Sequence, residues 1–162
     1  MPHAGQYDML ISSEVAPAYM LCAYKDCFER GLPTDAETIA GLFDQNAILC
    51  SDTEVYMGHE SIERHHLRLF SLRGVDRTTK LKFESCTLNG SATTVTGAGV
   101  EERDYIIAKE ERLFVYEMLL NLEMITGAEG IRQWRIQQLI IDTLSITLTV
   151  YGFQGKGDAP YY

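Results

Sequence analysis

Leu113-Phe114-Val115-Tyr116-Glu117-Met118-Leu119-Leu120-Asn121-Leu122-Glu123-Met124-Ile125 is the stretch whose reading decides the fold. Large apolar side chains recur at every second position from Phe114 to Met124, and Glu117, Asn121 and Glu123 fall between them. Successive side chains of a strand point to opposite faces, so this period marks a long strand with one buried and one solvated face. Lys80 to Leu88 alternates in the same way, with Leu81, Phe83 and Ser85 on one side and Lys80, Lys82 and Glu84 on the other. Asn89-Gly90 is a strong two-residue hairpin signal, after which the chain returns from Ala92 to about Ala108. Thr126-Gly127-Ala128-Glu129-Gly130 turns it once more, into a last strand from Ile131 to Val150.

Residues before Gly74 obey the other period. Met20, Tyr24, Cys27 and Phe28 recur at three- and four-residue steps within Glu14 to Arg30, which predicts a helix stopped by Gly31. Pro33-Thr34-Asp35 turns the chain, and Thr34 or Asp35 is the expected cap of a short helix through Leu42 and Phe43, with Glu37 completing a capping box. A brief strand is expected from Ala47 to Cys50. Tyr56-Met57-Gly58 then leads into a third helix, His59 to about Phe70, whose inner face takes Ile62, His65 or His66, and Leu69. Helices first and an antiparallel meander after define an α+β fold, three helices packed on one face of a curved, mainly antiparallel sheet. Residues 1–13 read as a leader, 14–152 as one domain and 153–162 as a tail.

Composition narrows the function. The 162 residues carry a net charge of −9, and their Lys and Arg are scattered. Nucleic acid and anionic membrane surfaces both need basic patches, so neither is an expected partner. No stretch approaches the roughly 20 apolar residues of a membrane span, and the N-terminal residues lack the charged and apolar regions of a secretion signal; a cytoplasmic protein is expected. Cys22, Cys27, Cys50 and Cys86 form no C-x-x-C pair and have no histidine at zinc-ligand spacing, so they read as reduced, mostly buried thiols, with no metal expected. Neither a phosphate-cradling glycine loop nor a dinucleotide fingerprint occurs, and no cofactor is expected.

Three short motifs in the same order carry a family resemblance. Leu42-Phe43-Asp44-Gln45-Asn46-Ala47-Ile48-Leu49 resembles an LFxxDAxL entry to a first strand. Tyr56-Met57-Gly58-His59-Glu60-Ser61-Ile62 resembles a YxGxxxI helix start, and Gly130-Ile131 with Trp134-Arg135 is similar to a closing GxIxxWR strand. Together they resemble the nuclear-transport-factor-2-like cones, among them ketosteroid isomerase, scytalone dehydratase, limonene epoxide hydrolase and the SnoaL-like polyketide cyclases. The resemblance implies a conical pocket between helices and sheet, and often a homodimer through the convex sheet surface. It implies no single reaction. Limonene epoxide hydrolase uses an Arg-x-Asp pair and a second Asp after its Trp-Arg. Here Arg103 and Asp104 are adjacent and Ile136 stands in the second position, so that triad is absent as written.

Candidate chemistry falls on two clusters. His65 and His66 follow Ile62 by about one turn; adjacent helix positions are about 100° apart, so at most one points fully into a cavity. His65, in phase with Ile62 and Leu69, is the expected acid–base group, with His66 in contact with substrate. Glu102 and Asp104 share a strand face with Val100, Ile106 and Ala108, whereas Arg103 and Tyr105 share the other with Glu101. If the apolar set faces inward, Glu102 and Asp104 enter the cavity and burial raises a carboxyl into the working range of a general acid; on a hairpin rim they are simply solvated. Tyr24, Tyr56, Met118, Trp134 and Gln138 are the expected substrate contacts. The function expected is a cofactor-independent isomerase, dehydratase or cyclase acting on a small apolar polyketide or terpenoid. A noncatalytic hydrophobic-ligand or assembly domain is the alternative, and an epoxide-opening hydrolase or cyclase the third.

Overall fold

Helix α1 (Ala16–Arg30) carries Pro17 in its first turn, where a missing N–H breaks no helical bond, and ends at Gly31 (φ 67°), whose N–H returns to the Cys27 carbonyl at 2.9 Å. The computed structural model describes residues 11–152 apart from Val75 and Ser91; most of the expected leader and the tail lie outside the described residues. Helix α2 (Pro33–Gly41) is capped at Leu32, not at Thr34 or Asp35 as expected, because Pro33 takes the first helical position. The Asp35 carboxylate instead accepts the Leu32 N–H at 2.9 Å and the guanidinium of Arg30 at 2.7 Å. That Arg30 hydrogen bond, first among its causes, holds the Asp35 carboxyl below the ordinary carboxylate range.

Strand β1 (Phe43–Ser51) and a short β2 (Glu54–Met57), which the sequence reading did not anticipate, form a hairpin turned at Asp52 in the left-handed region (φ 52°). Helix α3 (Gly58–Arg73) follows, then β3 (Arg77–Asn89), β4 (Ala92–Asp104), β5 (Ala108–Thr126) and β6 (Arg132–Gly152). They form one sheet in the order β2-β1-β6-β5-β4-β3, antiparallel throughout except where β1 lies parallel to β6. The helices pack on its inner face. Phe43, Leu49, Ile62, Leu120, Ile136 and Leu139 are fully buried between the layers. On β5 the alternation holds: Tyr116, Met118 and Leu120 are buried, Phe114 and Leu122 pack against them, and Glu117 and Glu123 are exposed.

Two strands depart from the simple alternation. On β4 the buried positions are Thr93, Val95, Gly97 and Gly99, and the same parity carries Glu101 and Arg103 inward. Of the two orientations the sequence left open, the set Val100, Glu102 and Asp104 takes the outer one. The cause is the cross-strand neighbour. The Phe114 and Tyr116 rings occupy the space over the two glycines, and a Cβ on Gly99 would overlap the Phe114 ring. On β6 the register slips opposite Asn121/Leu122 and again opposite Val115/Tyr116, so its inner face runs through Ile136, then Ile141 and Thr143, then Ile146. The cysteines split as well: Cys27 is buried, but Cys22 and Cys86 are exposed. No helix among the described residues is long and apolar enough to cross a membrane.

Candidate functional site

A cavity of about 320 Å3 lies between α1, α3 and the inner face of the sheet. Tyr24 and Phe28 of α1, His65 and Leu69 of α3, and Phe114, Tyr116 and Met118 of β5 line it. Glu101, Arg112, Asp52 and Thr143 add polar groups at its margins. A second cavity of about 400 Å3 adjoins it, shares Ser51, Asp52, His65 and Leu69, and adds Glu54, Tyr56 and Arg68. His65 thus stands in the partition between the two.

The histidine pair divides its labour as helix geometry requires. His66 is fully buried: its Nδ1 lies 2.8 Å from the Ile62 carbonyl and its Nε2 2.9 Å from the Tyr24 hydroxyl. A carbonyl can only accept, so Nδ1 carries the proton and Nε2 accepts from Tyr24. Burial is the main cause that pushes its pKa down from 6.5 to about 4, which keeps the ring neutral. Burial likewise raises the Tyr24 phenol well above its ordinary value. His66 was expected to touch substrate; it lies behind the wall and supports Tyr24, because its helix position points into the packed layer with Ile62 and Phe70.

His65 is half-buried and stacked on Tyr56, with ring centroids 4.0 Å apart and planes 25° apart, while the His66 ring meets it edge-on at 5.0 Å. Its pKa is lowered chiefly by burial and further by Arg68, against an opposing pull from Glu54. Tyr56 is anchored in turn by its hydroxyl, which donates to Glu54. Tyr56 therefore lines the adjoining cavity rather than the cone.

The remaining candidates divide. Met118 and Tyr24 line the cone. Glu102 faces outward and pairs with Lys109 at 3.2 Å, and Asp104 is exposed at the end of β4. The β4 carboxylate that does reach the cavity is Glu101, held by Arg77 at 2.8 Å. Trp134 lies farther along the inner face of β6 and gives its indole N–H to the Ile11 carbonyl at 3.0 Å. Gln138 is turned outward by the bulge beside it and accepts from Asn121 at 2.9 Å. The sequence reading missed Phe28, Asp52, Glu101 and Arg112. Gly97 and Gly99, two glycines spaced by two and opposite aromatics, were the available sign that this β4 face is the covered one. Asp52 accepts both the Thr143 N–H (2.7 Å) and its hydroxyl (3.1 Å), tying the β1–β2 turn to β6 at the cavity edge. Among the described residues no group of three or more His, Cys, Asp or Glu side chains is placed to hold a metal ion.

Helices packed on the concave face of a curved sheet around a mainly apolar cavity are the cone fold of the nuclear-transport-factor-2-like proteins, and this chain has that fold. A scytalone dehydratase-like protein of Novosphingobium aromaticivorans superposes with a TM-score of 0.59 at 13% identity, over 82% of this chain and 84% of that one. ActVI-ORFA of Streptomyces coelicolor gives 0.58 at 11% identity, over 89% and 98%. An NTF2-like protein with a cystatin-like fold, also from N. aromaticivorans, gives 0.53 at 16% identity, over 78% and 79%. No protein-family model matches the sequence, and no curated protein matches it. Identities this low establish the architecture alone.

Proposed function

We propose that this chain is a cofactor-independent acid–base enzyme that isomerises, dehydrates or cyclises a small, largely apolar polyketide or terpenoid metabolite, with His65 moving the proton. The observation that carries the reading is a half-buried, neutral imidazole in the wall of an otherwise mainly apolar cavity. Stacking on Tyr56 fixes the plane of the ring, so its nitrogens are aimed before substrate arrives. Tyr24, whose proton is committed to His66, offers the substrate an oxygen that accepts, while Met118 and Phe114 supply an apolar floor. Glu101, not Glu102 or Asp104, is the acidic group available to the reaction, working beside Arg77. We take the protein to be a cytoplasmic homodimer.

One observation favours a second reading, a noncatalytic binder of an apolar ligand. The acids at the cavity already have partners, Asp52 in Thr143 and Glu101 in Arg77, and among the described residues no carboxylate hydrogen-bonds His65. Deuterium exchange separates the two readings. An enolisable bicyclic ketone, 2-tetralone, is incubated with the protein in D2O and its α-protons are followed by mass spectrometry. Catalysed exchange in the wild type that disappears in His65→Ala supports the enzyme. Exchange no faster than in buffer, from a ketone that still displaces a fluorescent dye from the cavity, makes the cone a binder.

A further inference from the structure

Strand β6 is 21 residues long, but β1 covers only its first half. The pairing ends with Ser51 opposite Ile141. Asp52 then closes the row, giving its N–H to the Ile141 carbonyl (2.9 Å) and accepting the Thr143 N–H (2.7 Å). Beyond the bulge at Leu144, β6 has backbone partners among the described residues on its β5 side alone. From Ser145 to Gly152 it therefore presents a row of N–H and C=O groups, about 25 Å long, that no described strand pairs with.

An edge of this kind is a template for another strand, and folded chains usually blunt it with Lys, Pro or an inward charge. Ser145-Ile146-Thr147-Leu148-Thr149-Val150-Tyr151-Gly152 has none of these, in a chain of which 23% is charged. Its alternation of hydroxyl and branched apolar side chains suits a paired strand, yet Ile146, Leu148 and Val150 are 62%, 54% and 62% exposed. Ile146 also belongs to the cavity wall, so the cavity is uncovered along this same edge.

We infer that this edge of β6 pairs antiparallel with the same edge of a second copy, about a two-fold axis near Leu148. The sheet would then run through both copies, and the partner strand would cover the cavity wall at Ile146. The occupant follows from charge. Two chains each carrying −9 meet at least electrostatic cost where neither is charged, and the segment set antiparallel to itself opposes no like charges. It is self-complementary, as a two-fold contact must be. The outer sheet face, by contrast, carries Glu102, Glu111, Glu117, Lys80 and Lys82.

Light scattering at tens of micromolar, with circular dichroism as the folding check, tests this on the full chain. The wild type should show twice the 18.3 kDa chain mass. Leu148→Lys and Leu148→Glu, each placing like charges face to face at the axis, should each run as folded monomers. Mixing the two should restore the doubled mass, which also shows that both variants are folded. Wild-type protein of single-chain mass, as a strand from a different protein would leave it, overturns the inference. So does a dimer that persists in both single variants, as a contact through the sheet face would. Neither outcome depends on whether the cavity is catalytic.

Discussion

The Tyr24 hydroxyl donates to Nε2 of His66 across 2.9 Å, and it can do so only because the other ring nitrogen is committed to the Ile62 carbonyl. One backbone contact inside α3 thereby sets the direction of a hydrogen bond between two helices. Both partners are buried, so Tyr24→Phe leaves an acceptor with no donor, and the expected loss is about 1–3 kcal/mol. Urea denaturation of the two proteins checks it; an unchanged midpoint and slope would remove the pair from the account of stability.

The same pair makes stability depend on pH. His66 has a folded pKa of about 4 against an ordinary 6.5, so the unfolded chain binds more protons between those values. The stability it protects is fully present above pH 6.5 and is lost as pH falls towards 4, by roughly 3 kcal/mol on the 1.36 kcal/mol-per-unit scale. His66→Gln should flatten the slope of unfolding free energy against pH in that window. A variant as steep as the wild type would show that other groups carry it.

His65 should titrate below 6.5 when its ring C2 proton is followed by NMR, because burial and Arg68 both disfavour its charged form. Arg68→Gln should raise that pKa and Glu54→Gln should lower it further. If the proposed chemistry uses the neutral ring, turnover rises with pH through the His65 inflection and is level by neutrality. His65→Ala should cost at least about a hundredfold in turnover. Asp104→Asn and Glu102→Gln, on the outer face, should leave turnover unchanged; a large loss in either would return the acid–base role to the outer carboxylates.

Gly99→Ala is expected to destabilise by about 1–3 kcal/mol and to move the Phe114 ring, since the new methyl would overlap it. Gly97→Ala should behave similarly, its Cβ falling 2.5 Å from the Tyr116 hydroxyl. Gly41→Ala, with nothing within 4 Å of the added carbon, serves as the control and should be neutral or slightly stabilising. Thermal melts of the three rank them; equal midpoints would mean that the aromatic cover on β4 is loose.

Arg73 caps the end of α1 from outside that helix, donating to the Phe28 carbonyl at 2.7 Å and the Glu29 carbonyl at 3.3 Å. Its guanidinium also lies over the Phe28 and Phe70 rings at 5.0 and 5.1 Å. Gly31 supplies the space: a Cβ there would fall 2.5 Å from the Arg73 Nη1. Gly31→Ala and Arg73→Ala should each be destabilising, and their sum should exceed the measured double variant by about 0.5 kcal/mol or more. Strict additivity in denaturant titrations would show that the two sites do not communicate.

By itself the sequence determined the three helices and every strand but β2, because apolar side chains must share a face and the dominant period changes from helical to strand-like after Gly74. It also determined the buried face of β5, where alternation from Phe114 to Met124 runs over the inner face without a break; of the two histidines, however, it is His66 that shares the buried face of Ile62, while His65 lines the cavity with Leu69. The tertiary structure alone decided the faces of β4 and β6. Glu101 to Asp104 alternates legibly, but nothing local says which parity is inside; that is set across the sheet, where Phe114 and Tyr116 need the space above Gly99 and Gly97. Nor is a bulge written in the strand that contains it: the slips in β6 arise from its pairing with β5, and they turn Gln138 outward while bringing Ile141 and Thr143 to the cavity. A strand's period is a property of its own residues, whereas its phase belongs to its neighbours.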